Sequence, residues 1–398
     1  MAVRIEVIAV VNRFYFDHNA TTPVSSEVLA EHIEALREVY GNASSIHHNG
    51  QQAKQALEEA RRRVAAAIGA DPREIVFLSG GTEADNLAIR GVVRASTNPR
   101  KHVITSAIEH PAVMNTCAQL EREGIEVTYV PVASSGVIDP DDVRRALRED
   151  TVLVSLMHAN NETGTLQPVE AIGRITREAG VVFHSDGVQA FGKIPVDVNT
   201  LGVDLYTISG HKIYAPKGVG ALYVRKGTKL APLLFGGHHE RDRRPGTENV
   251  PGAVALGCAA AAAVRDLEAE SSRLDALRNR LERAILEQVP HSGVNGSAAA
   301  RVPNTTNIYF DGVQGEAMVI ALDLTGFAVS TGSACSSGAV EPSHVLTALG
   351  LTKERARASL RFSLGRSNTA AQVDALVEAV VEAARRLRSL SPAYVHHG

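Results

Sequence analysis

The chain has 398 residues, enough for about two or three domains' worth of core. Apolar residues make up 44% and charged residues 21%, and 41 Lys and Arg against 44 Asp and Glu leave a formal net charge of -3. That balance is ordinary for a soluble globular protein and gives no electrostatic reason to expect nucleic acid or an anionic membrane as the main partner. No apolar stretch is long enough to span a bilayer. Three widely separated cysteines, Cys117, Cys258 and Cys335, with no CxxC pair, argue against a disulfide framework or a zinc site and for a reducing cytoplasm.

In chain order, Met1 to Val11 reads as a short strand or an extension, too broken by Arg4 and Glu6 to be a secretory signal. The spacing predicts amphipathic helices over Glu27 to Tyr40 and Gln51 to Ile68. Strands over Glu74 to Leu78, His102 to Thr105, Val127 to Val132 and Val152 to Met157 then alternate with helices over Glu83 to Ala95, Ala112 to Glu123 and Pro140 to Leu147. Further strands are expected over Val181 to His184, Leu205 to Ile208 and Gly220 to Val224. This order implies an α/β sheet with mixed or mainly parallel strands, whose ligands bind outside the carboxyl ends of the strands. The pattern changes after about residue 255, where a long helical run is predicted over Ala259 to Val289. Strands over Thr306 to Phe310 and Phe327 to Ser330 and a helix over Ala370 to Leu387 make a smaller α+β unit, and the tail after Ser391 is expected to fray.

Candidate chemistry clusters at the expected strand ends. Ser209-Gly210-His211-Lys212 closes an apolar strand. A lysine there can form a Schiff base while hydroxyl and imidazole groups hold an anion such as phosphate; alone, it equally reads as a solvated lysine. Ser79-Gly80-Gly81-Thr82-Glu83 opens a helix whose first amides can receive an anion, or is a plain turn with Thr82 as N-cap. Asp186, in His184-Ser185-Asp186-Gly187-Val188-Gln189, can hold a proton on a pyridine ring nitrogen or cap the next element. Asn161 can bond a cofactor oxygen or a substrate carboxylate, or merely form a turn. His110 can stack on an aromatic cofactor and shuttle protons. Arg361 can grip a carboxylate through two parallel hydrogen bonds, or lie on the surface of a strand. Cys335 sits in the small, polar stretch Thr331 to Gly338, a setting for a mobile thiolate nucleophile, whereas Cys117 and Cys258 sit in helical runs and read as packing residues.

Together these segments resemble the group I (NifS/IscS-type) cysteine desulfurases, class-V aminotransferase relatives that use pyridoxal 5'-phosphate. The matching stretches are DHNATTP (Asp17 to Pro23), SGGTEADN (Ser79 to Asn86), HANNETG (His158 to Gly164), SGHKIYAPKGVGALYV (Ser209 to Val224), RRPGTENV (Arg243 to Val250), STGSACSSG (Ser330 to Gly338) and RFSLGR (Arg361 to Arg366). The resemblance implies the aspartate-aminotransferase type I fold, with a large coenzyme-binding domain over 14–257 and a small domain over 258–398 joined by 1–13. It implies Lys212 as the Schiff-base lysine, and Thr82, Ser209, His211 and the Gly81 backbone around the phosphate. It further implies Asp186 on the pyridine nitrogen, Gln189 on the ring hydroxyl and His110 over the ring. Asn161 would lie near the substrate carboxylate and the ring hydroxyl, Arg361 would anchor that carboxylate, and Cys335 would be the persulfide-forming nucleophile. Thr247 would reach the phosphate of a second subunit, which makes a homodimer. L-cysteine is the implied substrate, with an iron–sulfur scaffold, a tRNA-thiolation relay or a persulfide carrier as sulfur acceptor; no resident metal is implied beyond a transient cluster contact at Cys335. Two stretches depart from the family's usual wording, GNASS (Gly41 to Ser45) and FGGHHERD (Phe235 to Asp242), the second beside Thr247. The competing expectations are a selenocysteine lyase or aminotransferase on the same scaffold, against which STGSAC argues in the second case, and a cofactor-free scaffold protein.

Overall fold

A computed structural model describes residues 13–332 and 342–390. The expectations for Met1 to Val11, for Cys335 with most of its loop and for the tail after Ser391 lie outside the described residues. In chain order the strands are β1 (Phe14–Tyr15), β2 (Ile75–Leu78), β3 (His102–Ser106), β4 (Glu126–Val130), β5 (Thr151–Ser155), β6 (Val182–Asp186), β7 (Leu205–Ser209), β8 (Gly220–Val224), β9 (Ser292–Val294), β10 (Thr305–Phe310), β11 (Phe327–Ala328) and β12 (Ser359–Ser363). The helices are α1 (Ser26–Glu38), α2 (His48–Ala66), α3 (Gly81–Ala95), α4 (Pro111–Arg122), α5 (Pro140–Ala146), α6 (Val169–Ala179), α7 (Val198–Leu201), α8 (Val250–Arg265), α9 (Leu267–Gln288), α10 (Gly315–Leu324), α11 (His344–Ala348), α12 (Lys353–Arg357) and α13 (Ala370–Ser389).

Seven strands form one sheet in the order β2-β8-β7-β6-β5-β3-β4. Only β8 runs against its neighbours. The inner strands β3 and β7 are buried along their whole length, as strands covered on both faces are, although each also carries polar residues: His102, Thr105 and Ser106 in β3, Thr207 and Ser209 in β7. One face packs α1, α2, α6 and α8 into a core containing Leu57, Val64, Ile104, Phe183, Tyr206 and Leu256. The other face packs α3 and α4 around Leu87, Ile89, Val113 and Leu120. Parallel strands joined through helices bring all their carboxyl ends to one edge. The segments after β2, β3, β5, β6 and β7 therefore meet there.

The second unit has a three-stranded antiparallel sheet, β12-β10-β9, covered by α9, α10 and α13. Phe16 and Phe327 join its core, and β1 pairs in parallel with β11, so residues 14–16 pack with this unit rather than with the large one. The helical run expected over Ala259 to Val289 is two helices that meet at Asp266 with a bend of 71°. Helix α8 is buried between α1 and α2, while α9 lies on α13, and one straight rod cannot serve both cores. Cys258 and Ala260 belong to the large core, so the packing changes hands at Asp266, later than the boundary expected at residue 258. The strand expected over Phe327 to Ser330 pairs only at Phe327 and Ala328, with Ser330 forming an isolated bridge to Arg361. Among the described residues no single helix is long and apolar enough to cross a membrane.

Candidate active site

Lys212 lies in a single 3₁₀ turn just beyond β7. The residue two positions on, Tyr214, has φ = 69°, a left-handed conformation that a bulky side chain resists. It is held there from both sides. Its amide donates to Thr22 Oγ1 (2.8 Å), its hydroxyl accepts from the Arg366 amide (2.8 Å), and its carbonyl accepts from the Ser25 amide (3.1 Å). The polar segment Asp17 to Thr22 is thus strapped across the turn, and Thr22 also donates through both N–H and Oγ1 to the His211 carbonyl. Lys212 Nζ points into this strap, donating to the carbonyls of Asn19 (2.5 Å) and Ala20 (2.8 Å). Burial, then the positive charge of Arg361, push its pKa down to about 8, while Asp17 and Asp186 pull it back.

Around the lysine the other strand ends converge. Asp186 closes β6 and is buried; its Oδ1 accepts from the Val188 amide (2.9 Å), which makes a tight turn rather than a helix cap. Burial raises its pKa, and the charges of His110 and Lys212 oppose the rise. His110 is the N-cap of α4, with Nδ1 accepting from the Ala112 amide (3.1 Å). In the neutral ring the proton therefore sits on Nε2. Burial lowers its pKa, and the charges of Asp186, Lys212 and His344 reach it.

Helix α3 starts two residues earlier than expected, at Gly81 rather than Glu83. Its N-cap is Gly80, not Thr82, and no side chain caps it, so the first amides are left to a ligand or solvent. Ser209 faces this end: a Cβ built on Gly81 would stand 3.5 Å from Ser209 Cβ. His211 Nδ1 pairs with Thr21 Oγ1 (3.1 Å), and burial lowers its pKa to about 4.

Arg361 is not on the surface. It lies in the middle of β12 and is 4% exposed. Its Nη2 donates to Asp17 Oδ1 (2.7 Å) and its Nη1 to the Asn161 carbonyl (3.0 Å), whereas the buried Nε has no hydrogen-bond partner. An unpaired, buried guanidinium N–H is costly unless an acceptor arrives. Gln189 is buried beside them, its Nε2 donating to the Asn19 carbonyl (3.0 Å).

The hub of the cluster escaped sequence reasoning. Asn19 is 1% exposed and joins the Lys212 strap, the Asn161 loop and the small sheet through Asn161 O, Thr305 Oγ1 and Ser363 Oγ. The signal was a run of polar residues, DHNATT, with nothing helical or strand-like about it. Lys193 was missed as well, and so was Asp85, whose two buried oxygens have no hydrogen-bond partner. Thr247 is exposed on the segment before α8, which Arg244 ties to Glu83 in the first turn of α3 (3.0 Å), and among the described residues no hydrogen bond links Thr247 itself to this cluster. Burial pushes the thiols of both Cys117 and Cys258 up to about 12, which removes them as nucleophiles at neutral pH.

A family model for aminotransferase class-V matches residues 14–376. The chain belongs to that family. Among curated relatives, a cysteine desulfurase IscS of Methanosarcina thermophila is 49% identical over 378 residues, covering 95% of this chain and 93% of the relative. A cysteine desulfurase of a Nostoc species is 50% identical over 378 residues, covering 95% and 94%. Among solved structures, a NifS-like protein superposes with a TM-score of 0.87 at 38% identity, covering 93% of this chain and 98% of that one. A structure of SspA in complex with cysteine superposes with a TM-score of 0.78 at 37% identity, covering 88% and 98%. The fold is that of the type I pyridoxal-phosphate enzymes, and the coenzyme is pyridoxal 5'-phosphate. The residues present fit it. An uncapped helix start beside Ser209 suits a phosphate, a buried carboxyl with a raised pKa suits a ring nitrogen's proton, and a lysine amine eased toward neutrality suits an aldehyde.

Proposed function

We propose that this chain is a cysteine desulfurase that converts L-cysteine to L-alanine and leaves the sulfur as a persulfide on Cys335. One observation carries the reading: a lysine amine with a pKa near 8, a buried aspartate and a buried arginine with an unpaired Nε converge at one sheet edge. The relatives named cysteine desulfurase and the SspA structure with cysteine support it.

When bound, the coenzyme supplies an aldehyde that captures an amine and a ring that takes up electrons from Cα. The protein does the rest. The α3 start, Ser209 and His211 hold the phosphate, with the Gly81 backbone and Thr82 beside them. Asp186 keeps the ring nitrogen protonated, and Gln189 meets the ring hydroxyl. Arg361, with Asn161, holds the substrate carboxylate and so turns the Cα proton toward Lys212. Lys212 takes that proton as a base, for which its lowered pKa suits it near neutral pH. His110, neutral and with its proton on Nε2, manages protons on the substrate sulfur and on the incoming thiol. The Cβ–S bond of cysteine breaks as an S–S bond to Cys335 forms. Cysteine and thiol give alanine and persulfide, with no outside oxidant.

The same reading makes the enzyme a homodimer of the cytoplasm that hands sulfur to an acceptor protein of iron–sulfur assembly or tRNA and cofactor thiolation. Helix α1 supports the dimer. Leu29, Ile33 and Leu36 are exposed at helical spacing along it, exposed Tyr40 follows its end, and exposed Phe235 precedes Thr247. On this reading a second copy covers that face, and Thr247 reaches the phosphate of the second copy. The test of the activity is direct. The Cys335→Ala protein should keep the visible absorption of lysine-bound coenzyme and lose sulfide release, and Lys212→Ala should lose the absorption. Full turnover by Cys335→Ala would overturn the nucleophile assignment.

A further inference from the structure

Lys193 is buried, and none of the roles above uses it. Its main-chain carbonyl accepts from Ser271 Oγ (2.8 Å), which anchors it against α9. Its Nζ donates to Gln189 Oε1 (2.5 Å) and to Asn19 Oδ1 (2.9 Å). The titratable and charged groups facing it are Lys212, Arg361 and His18, with Glu270 lining the same small cavity. No carboxylate pairs with Nζ among the described residues. A cation buried among cations is expensive, and a methionine would fill similar space without that cost. Folding alone does not account for a lysine here.

What Lys193 does is select the orientation of two amides. An amide has a donor end and an acceptor end, and a lysine ammonium offers only donors. By binding Oε1, Lys193 turns the Gln189 Nε2 the other way, to the Asn19 carbonyl. That oxygen is the one that receives Lys212 Nζ. By binding Asn19 Oδ1, it likewise sends Nδ2 to Asn161 O and Thr305 Oγ1. We propose that Lys193 is a positioning residue: it locks Gln189 so that an N–H, rather than a carbonyl oxygen, faces the ring hydroxyl of the coenzyme. The inference rests on the reading of Gln189 given above. An N–H there stabilises the ionised ring oxygen, and that in turn disfavours the protonated form of the coenzyme–lysine linkage.

The experiment is a spectral titration of the coenzyme-loaded protein. The pH midpoint of the visible band is compared for wild type, Lys193→Met, Gln189→Ala and the double variant. Lys193→Met should raise the midpoint by about one unit, and by clearly less when Gln189 is already alanine. An unshifted midpoint in Lys193→Met overturns the proposal, as does an equal shift with and without Gln189. Should Lys193→Met fail to fold, Lys193→Ala removes the donor without adding bulk and is read in the same way. A wild-type protein with no visible band would refute the coenzyme reading itself, whereas a normal band with an unmoved variant refutes only the role of Lys193.

Discussion

The lowered pKa of Lys212 makes a prediction about stability as well as catalysis. In coenzyme-free protein the amine titrates at about 8, against 10.5 for a lysine free in water. The unfolded chain therefore holds this proton more tightly than the folded one. Stability rises with pH wherever the unfolded state binds more protons, here from about pH 8 up to about pH 10.5. Below about pH 8 both states are protonated and the full penalty applies. At ~1.4 kcal/mol per unit, the shift corresponds to about 3 kcal/mol of lost stability at neutral pH. Roughly 2 kcal/mol of it is recovered by about pH 9.5. The assay is urea unfolding of coenzyme-free wild type and Lys212→Met at about pH 7 and about pH 9.5. The buried thiols Cys117 and Cys258, held protonated up to about 12, oppose the trend above about pH 9. The quantity to read is thus the difference between the two proteins. That difference, in favour of Lys212→Met, should shrink by about 2 kcal/mol on raising the pH. Parallel behaviour of the two proteins would refute the claim that the fold holds this amine near neutrality.

Three further outcomes are expected. Glu240 and Arg61, each with a 3% exposed side chain, form two 2.8 Å hydrogen bonds, and Glu240 also accepts from the Phe77 amide (2.9 Å). Glu240→Ala removes two of the four hydrogen bonds of the buried Arg61 guanidinium, which keeps Glu58 and the Ile75 carbonyl, and releases a segment in which Glu240, Arg241 and Asp242 all have positive φ, so unfolding by urea should show a loss of about 3 kcal/mol. Arg361→Lys keeps the charge but not the fork that reaches Asp17 and Asn161 together. KM for cysteine should rise by about tenfold or more in steady-state assays, with a smaller change in kcat. Leu36→Glu, placed on the exposed stripe of α1, should give a monomer by sedimentation and weaken coenzyme retention; a stable dimer would move the interface elsewhere.

The sequence by itself determined the alternation of strands and helices, since buried parallel strands read as short, mostly apolar runs rich in β-branched residues and an amphipathic helix shows the period 3.6. It also exposed the strand-end placement of Lys212, Asp186, His110 and Asn161, because loops at the carboxyl ends of parallel strands share one edge whatever the details. It did not show α6, although Val169, Ile172 and Ile175 are buried at helical spacing up to Gly180, which ends the helix at φ = 68°. It could not show where Ala259 to Val289 breaks, because the residues on both sides of Asp266 favour a helix and only the demands of two separate cores bend it. Tertiary structure alone decided that Arg361 is buried and that Asn19, with no chemistry of its own, joins five segments. It also decided that Lys193 faces Gln189. These are contacts between residues far apart in the chain, and local pattern carries no information about which distant donor meets which acceptor.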